Sequence, residues 1–164
     1  MGCGKTILGK ALTSQVNIPF VDLDKKIEEY ENKSIQKIFE LKGELYFRQI
    51  ERNILMELIN SSVPKIVSLG GGTPCYFNNM ADIVNSVHQS IYFKASVGNL
   101  VNRLYDKNKK RPLISHIENK VNLRDFISKH LFERSSFYEK AQIKINVDKK
   151  SIPEILAEVL LSLD

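Results

Sequence analysis

The chain has 164 residues, of which 43% are hydrophobic and 26% charged, and it carries a formal net charge of +5. This length and balance are typical of one globular domain with a single core, and no apolar run approaches the roughly 20 residues that cross a bilayer. The N-terminal residues lack the apolar stretch of a secretory signal, so the sequence predicts a cytoplasmic protein without a membrane partner.

The first ten residues, MGCGKTILGK, contain the pattern Gly2-x-Gly4-Lys5-Thr6, which matches the second half of a phosphate-binding P-loop. In such a loop, backbone N–H groups surround a phosphate, the lysine lies near the β- and γ-phosphates, and the threonine hydroxyl holds Mg²⁺. Apolar residues at helical spacing follow, namely Ile7, Leu8, Ala11 and Leu12. We therefore predict that the loop opens a helix whose N-terminal dipole faces the anion.

This pattern is shorter than the full motif, G-x-x-x-x-G-K-[ST]. The first glycine of the motif falls two residues before Met1, and the apolar strand that normally precedes the loop is absent. We expect that the natural protein has about ten further residues, enough for the strand and the glycine. In a doubly wound parallel sheet the first strand is central, so its loss would leave N–H and C=O groups of its two neighbours unpaired and would remove part of the phosphate loop.

Short apolar strands alternate with helices along the rest of the chain. The strands are predicted at residues 20–24, 65–69, 90–93 and 143–147. The helices are predicted at residues 25–31, 34–41, 44–60, 78–86, 96–105, 121–140 and from 151 onward. Local signals that set these bounds are Ser34 and Ser96 as N-caps, Gly43 as a helix end, and a capping box of Ser151 and Glu154. The alternation predicts an α/β fold of three layers, with helices on both faces of one parallel sheet.

The helix at 44–60 shows the clearest periodicity. Its apolar stripe consists of Phe47, Ile50, Ile54 and Leu58. Its other faces are expected to carry the charged residues Arg48, Glu51, Arg52 and Glu57.

Polar or bare residues follow two of the predicted strands. Asp22 and Asp24 end the first strand, and Gly70, Gly71 and Gly72 directly follow the second. The carboxyl ends of parallel strands face the crevice in which α/β sheets bind ligands. We therefore interpret the three glycines as backbone that a ligand approaches closely, in preference to a flexible turn.

Residues 106–119 are polar and rich in lysine, and they form a connection long enough to predict a lid. Within it, residues 107–111 are densely basic, which indicates either a solvated loop or a clamp for an anion such as a nucleotide phosphate. Elsewhere the basic residues are interleaved with acids, which argues against a nucleic-acid partner. The two cysteines, Cys3 and Cys75, fit neither a disulfide framework nor a paired metal motif. The three histidines lack metal-ligand spacing, so we assign them to the surface or to packing and predict no structural metal.

A phosphate loop, acids after a strand, a glycine turn and a basic lid together predict a small-molecule phosphotransferase, which relies on charge neutralisation and in-line positioning. Over essentially the whole chain the sequence resembles the shikimate kinase family. The motifs that carry this resemblance are GCGKT, Asp22-Leu23-Asp24, Phe47-Arg48, Gly70-Gly71-Gly72, Arg111-Pro112-Leu113 and Glu133-Arg134-x-x-x-Tyr138. The resemblance implies a P-loop kinase fold of the nucleoside-monophosphate-kinase type in one domain, 1–164. It places substrate-binding helices at about 24–52 and the lid at about 106–119.

The resemblance also implies ATP and Mg²⁺ as cofactors. The implied nucleotide contacts are Gly2, Gly4, Lys5, Thr6, Ile7, Arg103, Arg111 and Pro153. Thr6 would bind Mg²⁺ directly and Asp22 would hold it through water. Lys5 and the lid residue Arg111 would neutralise the transferring phosphoryl group, while Arg103 and Pro153 would enclose the adenine.

The implied substrate contacts are Asp24, Arg48, Gly71, Gly72 and Arg134. Asp24 would orient or deprotonate the attacking hydroxyl, since a carboxylate is a suitable acceptor for that proton. Arg48 and Arg134 would grip the substrate carboxylate, because the planar guanidinium fork matches two oxygens. The glycines would offer backbone N–H groups.

Three functions remain open from the sequence. The first is a monomeric shikimate kinase, which transfers the γ-phosphate of ATP to the 3-hydroxyl of shikimate in chorismate and aromatic amino-acid biosynthesis. The second is a non-catalytic nucleotide-binding remnant, and the third is a kinase for another hydroxy acid such as gluconate. Taken singly, Asp22 is also a candidate helix N-cap and Arg134 a candidate surface ion-pair residue. The complete set of matching residues favours the first function.

Overall fold

The computed structural model describes residues 2–105, 114 and 117–163. The chain divides into two compact units, one formed by Lys5–Ser90 and the other by Met1–Gly4 together with Ile91–Asp164. Among the helices that the structure describes, none combines the length and the apolar character that a bilayer crossing requires.

The unit Lys5–Ser90 contains four helices, two strands and a short 3₁₀ turn. In chain order these are α1 (Lys5–Val16), β1 (Phe20–Asp22), α2 (Leu23–Glu31), α3 (Ile35–Asn60), β2 (Ile66–Ser68), the 3₁₀ turn (Thr73–Cys75) and α4 (Asn79–Asn85). β1 and β2 are parallel, with Asp22 opposite Ser68. Both strands therefore end at the same edge, where Asp22 and the glycines that follow β2 lie.

The core of this unit lies between α2, α3 and the strand pair. Its buried members are Leu23, Ile27, Ile38, Phe47, Ile54, Leu55, Leu58 and Ile83. Burying each such side chain contributes roughly 1.5–3 kcal/mol. α1 contacts both strands, and a Cβ atom on Gly9 would lie only 2.5 Å from the ring of Phe20. Glycine at this position therefore lets α1 approach β1 closely.

α3 changes direction at Gly43, whose φ of 79° and ψ of 173° are not helical. Only glycine adopts this backbone conformation readily. The sequence predicts two helices that are separated at Gly43, and the structure confirms the break. The Ser34 hydroxyl accepts a bond from the backbone N–H of Lys37 at 3.3 Å, so the predicted N-cap is also confirmed.

The described residues of the other unit form two strands and three helices. They are β3 (Ile91–Lys94), α5 (Val97–Tyr105), α6 (Lys120–Tyr138), β4 (Ile143–Asn146) and α7 (Ile152–Leu161). β3 and β4 are parallel, with Ile91 opposite Ile143. The predicted capping box of α7 is present, because the Ser151 and Glu154 side chains each bond the other's backbone N–H. Ser96 caps α5 as predicted, by accepting from the backbone N–H of Asn99 at 3.3 Å.

The strand pairing differs from the single sheet that the sequence predicts. Within the described part of the chain, the strands form two separate parallel pairs, β1–β2 and β3–β4. Apolar periodicity predicts where a strand lies, but it contains no information about the partner to which the strand is hydrogen-bonded. The α/β class with parallel strands is confirmed, whereas the three layers and an additional strand before the phosphate loop stay predictions.

Candidate active site

The predicted phosphate loop turns sharply just before α1. Gly2 and Gly4 have φ values of 78° and 101°, in the region that side chains with a Cβ atom rarely adopt. α1 then begins at Lys5, as predicted. The first N–H groups of a helix have no partner within it, and they attract anions. Ile7, in the first turn of α1, is exposed. Phosphate binding at this loop stays a prediction.

Thr6, in the first turn of α1, contacts Asp22, the last residue of β1. The Thr6 hydroxyl donates to Asp22 Oδ2 at 3.3 Å. Asp22 occupies the N-cap position of α2, yet its side chain makes no capping bond, so its carboxylate faces Thr6 instead. Two adjacent oxygen donors of this kind fit Mg²⁺, which takes few protein ligands and retains water molecules. Among the described residues, no group of three or more His, Cys, Asp or Glu side chains is arranged to hold a metal ion.

Asp24 lies in the first turn of α2 and not at a strand end, which corrects the prediction that the first strand reaches residue 24. α2 begins directly after Asp22, and this junction leaves Asp24 half-buried. A Cβ atom on Gly70 would lie 3.0 Å from Asp24 Oδ1 and 3.3 Å from Glu51 Oε1. Burial raises the pKa of Asp24, and the charges of Asp22 and Glu51 raise it further, while Lys5 opposes them. A carboxylate with a raised pKa is a stronger base.

Arg48 is held by a buried carboxylate. Arg48 Nη1 donates to Glu51 Oε2 at 2.8 Å, and the Thr73 hydroxyl donates to Glu51 Oε1 at 2.6 Å. Glu51 is only 1% exposed and the Arg48 side chain 11%. The prediction that Glu51 lies on a face of its helix outside the apolar stripe is therefore wrong. Its spacing of four residues from Phe47 and three from Ile54 places it in the apolar stripe. That spacing is the signal in the sequence by which Glu51 can be found.

The guanidinium of Arg48 packs directly against the glycine run. A Cβ atom on Gly72 would lie 2.8 Å from Arg48 Nη2. On its other sides the guanidinium carbon lies 4.2 Å from the centre of the Tyr76 ring and 5.0 Å from that of Phe47. The glycines thus permit close approach by the side chains of Arg48 and Asp24. Their contact with a ligand, including the implied role of Gly71, stays a prediction.

A second carboxylate completes the surroundings of Arg48. Arg48 Nε and Nη2 both donate to Glu44 Oε1, at 3.4 and 3.3 Å. The Tyr76 hydroxyl donates to the same oxygen at 2.8 Å. Neither Glu44 nor Tyr76 is identified by the sequence motifs, because their link to Arg48 depends on how residues after the glycine run fold back onto α3.

The remaining predicted site residues lie in the other unit or outside the described residues. Arg103, on α5, donates to the backbone carbonyls of Cys3 and Val147 at 3.3 and 3.4 Å. It lines a cavity of about 480 Å³ together with Ser96, Asn99, Asn102, Asp148, Lys149 and Lys150. Pro153 lies in the first turn of α7. Adenine binding by Arg103 and Pro153 stays a prediction.

Arg134 is half-buried on α6. Burial lowers the pKa of the neighbouring His130, and the charge of Arg134 lowers it further. The His130 ring packs edge-on to Phe126 at 4.3 Å between centres, in keeping with its interpretation as a packing residue. Arg111 and most of the predicted lid lie outside the described residues. Of the lid, the structure describes Ile114 and residues 117–119.

Comparison with known proteins identifies the family. A family model described as shikimate kinase matches residues 1–164. A shikimate kinase of Flavobacterium johnsoniae is 45% identical over 160 residues, which are 98% of this chain and 92% of that protein. The crystal structure of a shikimate kinase from Bacteroides thetaiotaomicron matches with a TM-score of 0.90 at 34% identity, covering 99% of this chain and 93% of the other.

A shikimate kinase from Acinetobacter baumannii, solved in complex with shikimate, matches with a TM-score of 0.86 at 27% identity. That match covers 99% of this chain and 88% of the other. The agreement of the family model, the sequence relative and both solved structures covers nearly every residue, and the chain therefore belongs to the shikimate kinase family.

Proposed function

We propose that this chain transfers the γ-phosphate of ATP to the 3-hydroxyl of shikimate and produces shikimate 3-phosphate for aromatic amino-acid biosynthesis. The observation that carries the proposal, beside family membership, is the surroundings of Arg48. A guanidinium that is fixed by the buried Glu51 and lies against the glycine run is suited to bind a carboxylate. Asp24, the candidate base, borders the same glycine run at Gly70.

Lys5, Thr6 and Asp22 act on the nucleotide side of the reaction. Lys5 would stabilise negative charge on the β- and γ-phosphates, Thr6 would bind Mg²⁺ directly, and Asp22, whose carboxylate accepts from the Thr6 hydroxyl, would hold the ion through water. When bound, the ion supplies further neutralisation of charge on the phosphates. These residues form no covalent bond to either substrate, and their role is to orient the γ-phosphate for in-line attack.

Asp24 acts on the acceptor. The 3-hydroxyl oxygen of shikimate forms a bond to the γ-phosphorus while the bond between that phosphorus and the bridging oxygen of ADP breaks. The hydroxyl proton passes to a carboxylate oxygen of Asp24, whose raised pKa favours this transfer. The roles implied by the family resemblance for Gly71, Gly72, Arg103, Arg111, Arg134 and Pro153 belong to the same proposal.

The test is release of ADP by the purified chain with Mg·ATP, measured with shikimate and, as the control acceptor, gluconate. We expect a rate that depends on shikimate and not on gluconate, and that is lost in Asp24→Asn. A gluconate-dependent rate would redirect the proposal to another hydroxy acid. A shikimate-dependent rate that survives Asp24→Asn unchanged would remove Asp24 as the base.

A further inference from the structure

The N–H groups of Arg48 are divided unequally between two glutamates. Nη1 makes a short bond of 2.8 Å to Glu51, which is buried. The Nε and Nη2 groups share one oxygen of Glu44, at 3.4 and 3.3 Å. Charge-assisted bonds of this type are normally about 2.7–2.9 Å long, and a carboxylate in a good pair uses both oxygens. The Nε/Nη2 edge is therefore occupied, but loosely.

Glu44 differs from Glu51 in its exposure to water. Its side chain is 53% exposed, so it can turn into water with little loss of solvation. The hydroxyl of Tyr76 donates to the same Glu44 oxygen at 2.8 Å, and the Tyr76 ring lies 4.2 Å from the Arg48 guanidinium carbon. The bond to Glu44 is also the first cause that raises the pKa of the Tyr76 phenol. Tyr76 thus holds Glu44 in place above Arg48.

We propose that Glu44 is a resident carboxylate that occupies the Nε/Nη2 edge of Arg48 until the carboxylate of the acceptor displaces it, so that Glu44 and Tyr76 set the affinity for carboxylate-bearing acceptors. An acceptor carboxylate brings two oxygens to an edge where Glu44 supplies one, and it forms two parallel bonds. Glu51 remains bonded to Nη1 throughout, because its carboxylate is buried and cannot be solvated by water if it leaves Arg48. The inference rests on the proposed function, since it requires an acceptor whose carboxylate binds Arg48.

The proposed exchange predicts the direction in which removal of Glu44 changes the affinity for the acceptor. If Glu44 competes with the acceptor, its removal strengthens acceptor binding. If Glu44 instead positions Arg48 for the acceptor, its removal weakens binding. Exposed ion pairs change equilibrium constants by a factor of roughly 1.5 to 5, which sets the expected size of the effect. An acceptor without a charged carboxylate cannot displace Glu44 and gains nothing from its removal.

The experiment is calorimetric titration of the full chain with shikimate, comparing Glu44→Gln and Tyr76→Phe with the unmodified protein. The matched control is Glu40→Gln on the same helix, because Glu40 has a similar side-chain exposure of 49% and pairs with Lys37. We expect Glu44→Gln to lower the shikimate Kd by a factor of about 1.5 to 5. Tyr76→Phe should lower it by a smaller factor, and Glu40→Gln should leave it unchanged. The uncharged methyl ester of shikimate should bind the Glu44→Gln variant and the unmodified protein equally.

If the unmodified chain binds shikimate, two results for Glu44→Gln overturn this inference without affecting the proposed function. The shikimate Kd of the variant is either unchanged or higher than that of the unmodified protein. An equal gain with the methyl ester also overturns it, since the effect would then not depend on the acceptor charge. Failure of the proposed function is recognised differently, because the unmodified chain would then bind no shikimate. Thermal unfolding of each variant checks that it is folded. If Glu44→Gln is unfolded, the shikimate Kd of Tyr76→Phe, which keeps the ring against Arg48, tests the inference in its place.

Discussion

The negative charge of Asp24 is unfavourable in the folded protein and useful for the reaction. Its pKa is raised first by burial and then by the charges of Asp22 and Glu51. Because the folded protein binds this proton more tightly than the unfolded chain does, stability is lost as the pH rises from the usual value of 3.8 through the raised pKa. The loss is complete once the pH exceeds the raised pKa.

We predict that Asp24→Asn lowers turnover by about 10²–10⁴-fold, the range for loss of a general base, and yet raises the free energy of unfolding at pH 7. The gain should shrink as the pH falls and disappear below 3.8, where the proton is bound in both states. Urea unfolding over a pH series measures it. Asp125→Asn, which alters an exposed aspartate on α6, is the control and should show no such gain. A destabilised Asp24→Asn variant at pH 7 would contradict the prediction.

Glu51 presents the opposite case, since its charge is needed by its neighbours. Both of its oxygens are bonded, to Arg48 and to Thr73, and the side chain is excluded from water. Removing one partner of a buried ion pair costs about 3–5 kcal/mol. We predict that Glu51→Gln loses up to about this amount of stability and raises the KM for shikimate more than the KM for ATP.

Chemical unfolding and steady-state kinetics measure these two effects of Glu51→Gln. Glu57→Gln, at an exposed position on the same helix, is the control and should change neither quantity. Equal rises in both KM values would show that the variant is damaged generally, and that Glu51 does not specifically orient Arg48.

At the scale of the elements, the sequence predicts well those features that depend on local chemistry. The break at Gly43, the caps at Ser34 and Ser96 and the capping box of α7 are each decided within a few residues, and each is found. The boundary between β1 and α2 is predicted two residues too late, after Asp24 instead of after Asp22. The sequence makes Asp22 a candidate both for a strand residue and for a helix N-cap, and local signals do not decide between the two. The helix start after Asp22 accompanies the packing of α2 against α3, which involves residues far along the chain.

Gly43 and Gly98 offer a matched test of backbone strain. At neither glycine would an added Cβ atom meet another atom within 4 Å, but only Gly43 has a positive φ. We predict that Gly43→Ala destabilises the protein by roughly 1–3 kcal/mol, because alanine is strained in that conformation. Gly98→Ala, near the start of α5, should stabilise it by up to about 0.5–1 kcal/mol. Thermal unfolding of both variants gives the comparison, and a stabilised Gly43→Ala would show that the kink straightens without cost.

At the scale of the whole molecule, the motifs locate the candidate site but not the side chains that hold it together. Asp22, Asp24, Arg48 and the glycine run are predicted because they belong to recognisable patterns. Thr73 and Tyr76 reach Glu51 and Glu44 across separations of 22 and 32 residues. No local pattern encodes such a contact, since it arises only when the chain after β2 returns to α3.

The proposed site binds two ligands, and the residues assigned to each predict that the two binding events can be abolished separately. A ligand that binds only the folded state at about 100 times its Kd stabilises the protein by roughly 2.7 kcal/mol. Lys5→Met removes the cation assigned to the nucleotide phosphates, so stabilisation by Mg·ATP should be lost and that by shikimate retained. Arg48→Met should show the reverse.

Thermal unfolding with each ligand alone measures both effects on the same samples. Lys5 also lowers the pKa of Asp24, so the Lys5→Met experiment is run at two pH values, because a higher pH favours the ionised form of Asp24 when the cation is lost. Lys10→Met, at an exposed position further along α1, controls for the loss of a positive charge. If Lys5→Met keeps the full stabilisation by Mg·ATP, the loop before α1 does not bind the phosphates. If Arg48→Met keeps that by shikimate, the carboxylate is bound elsewhere, and the exchange proposed for Glu44 has no acceptor to drive it.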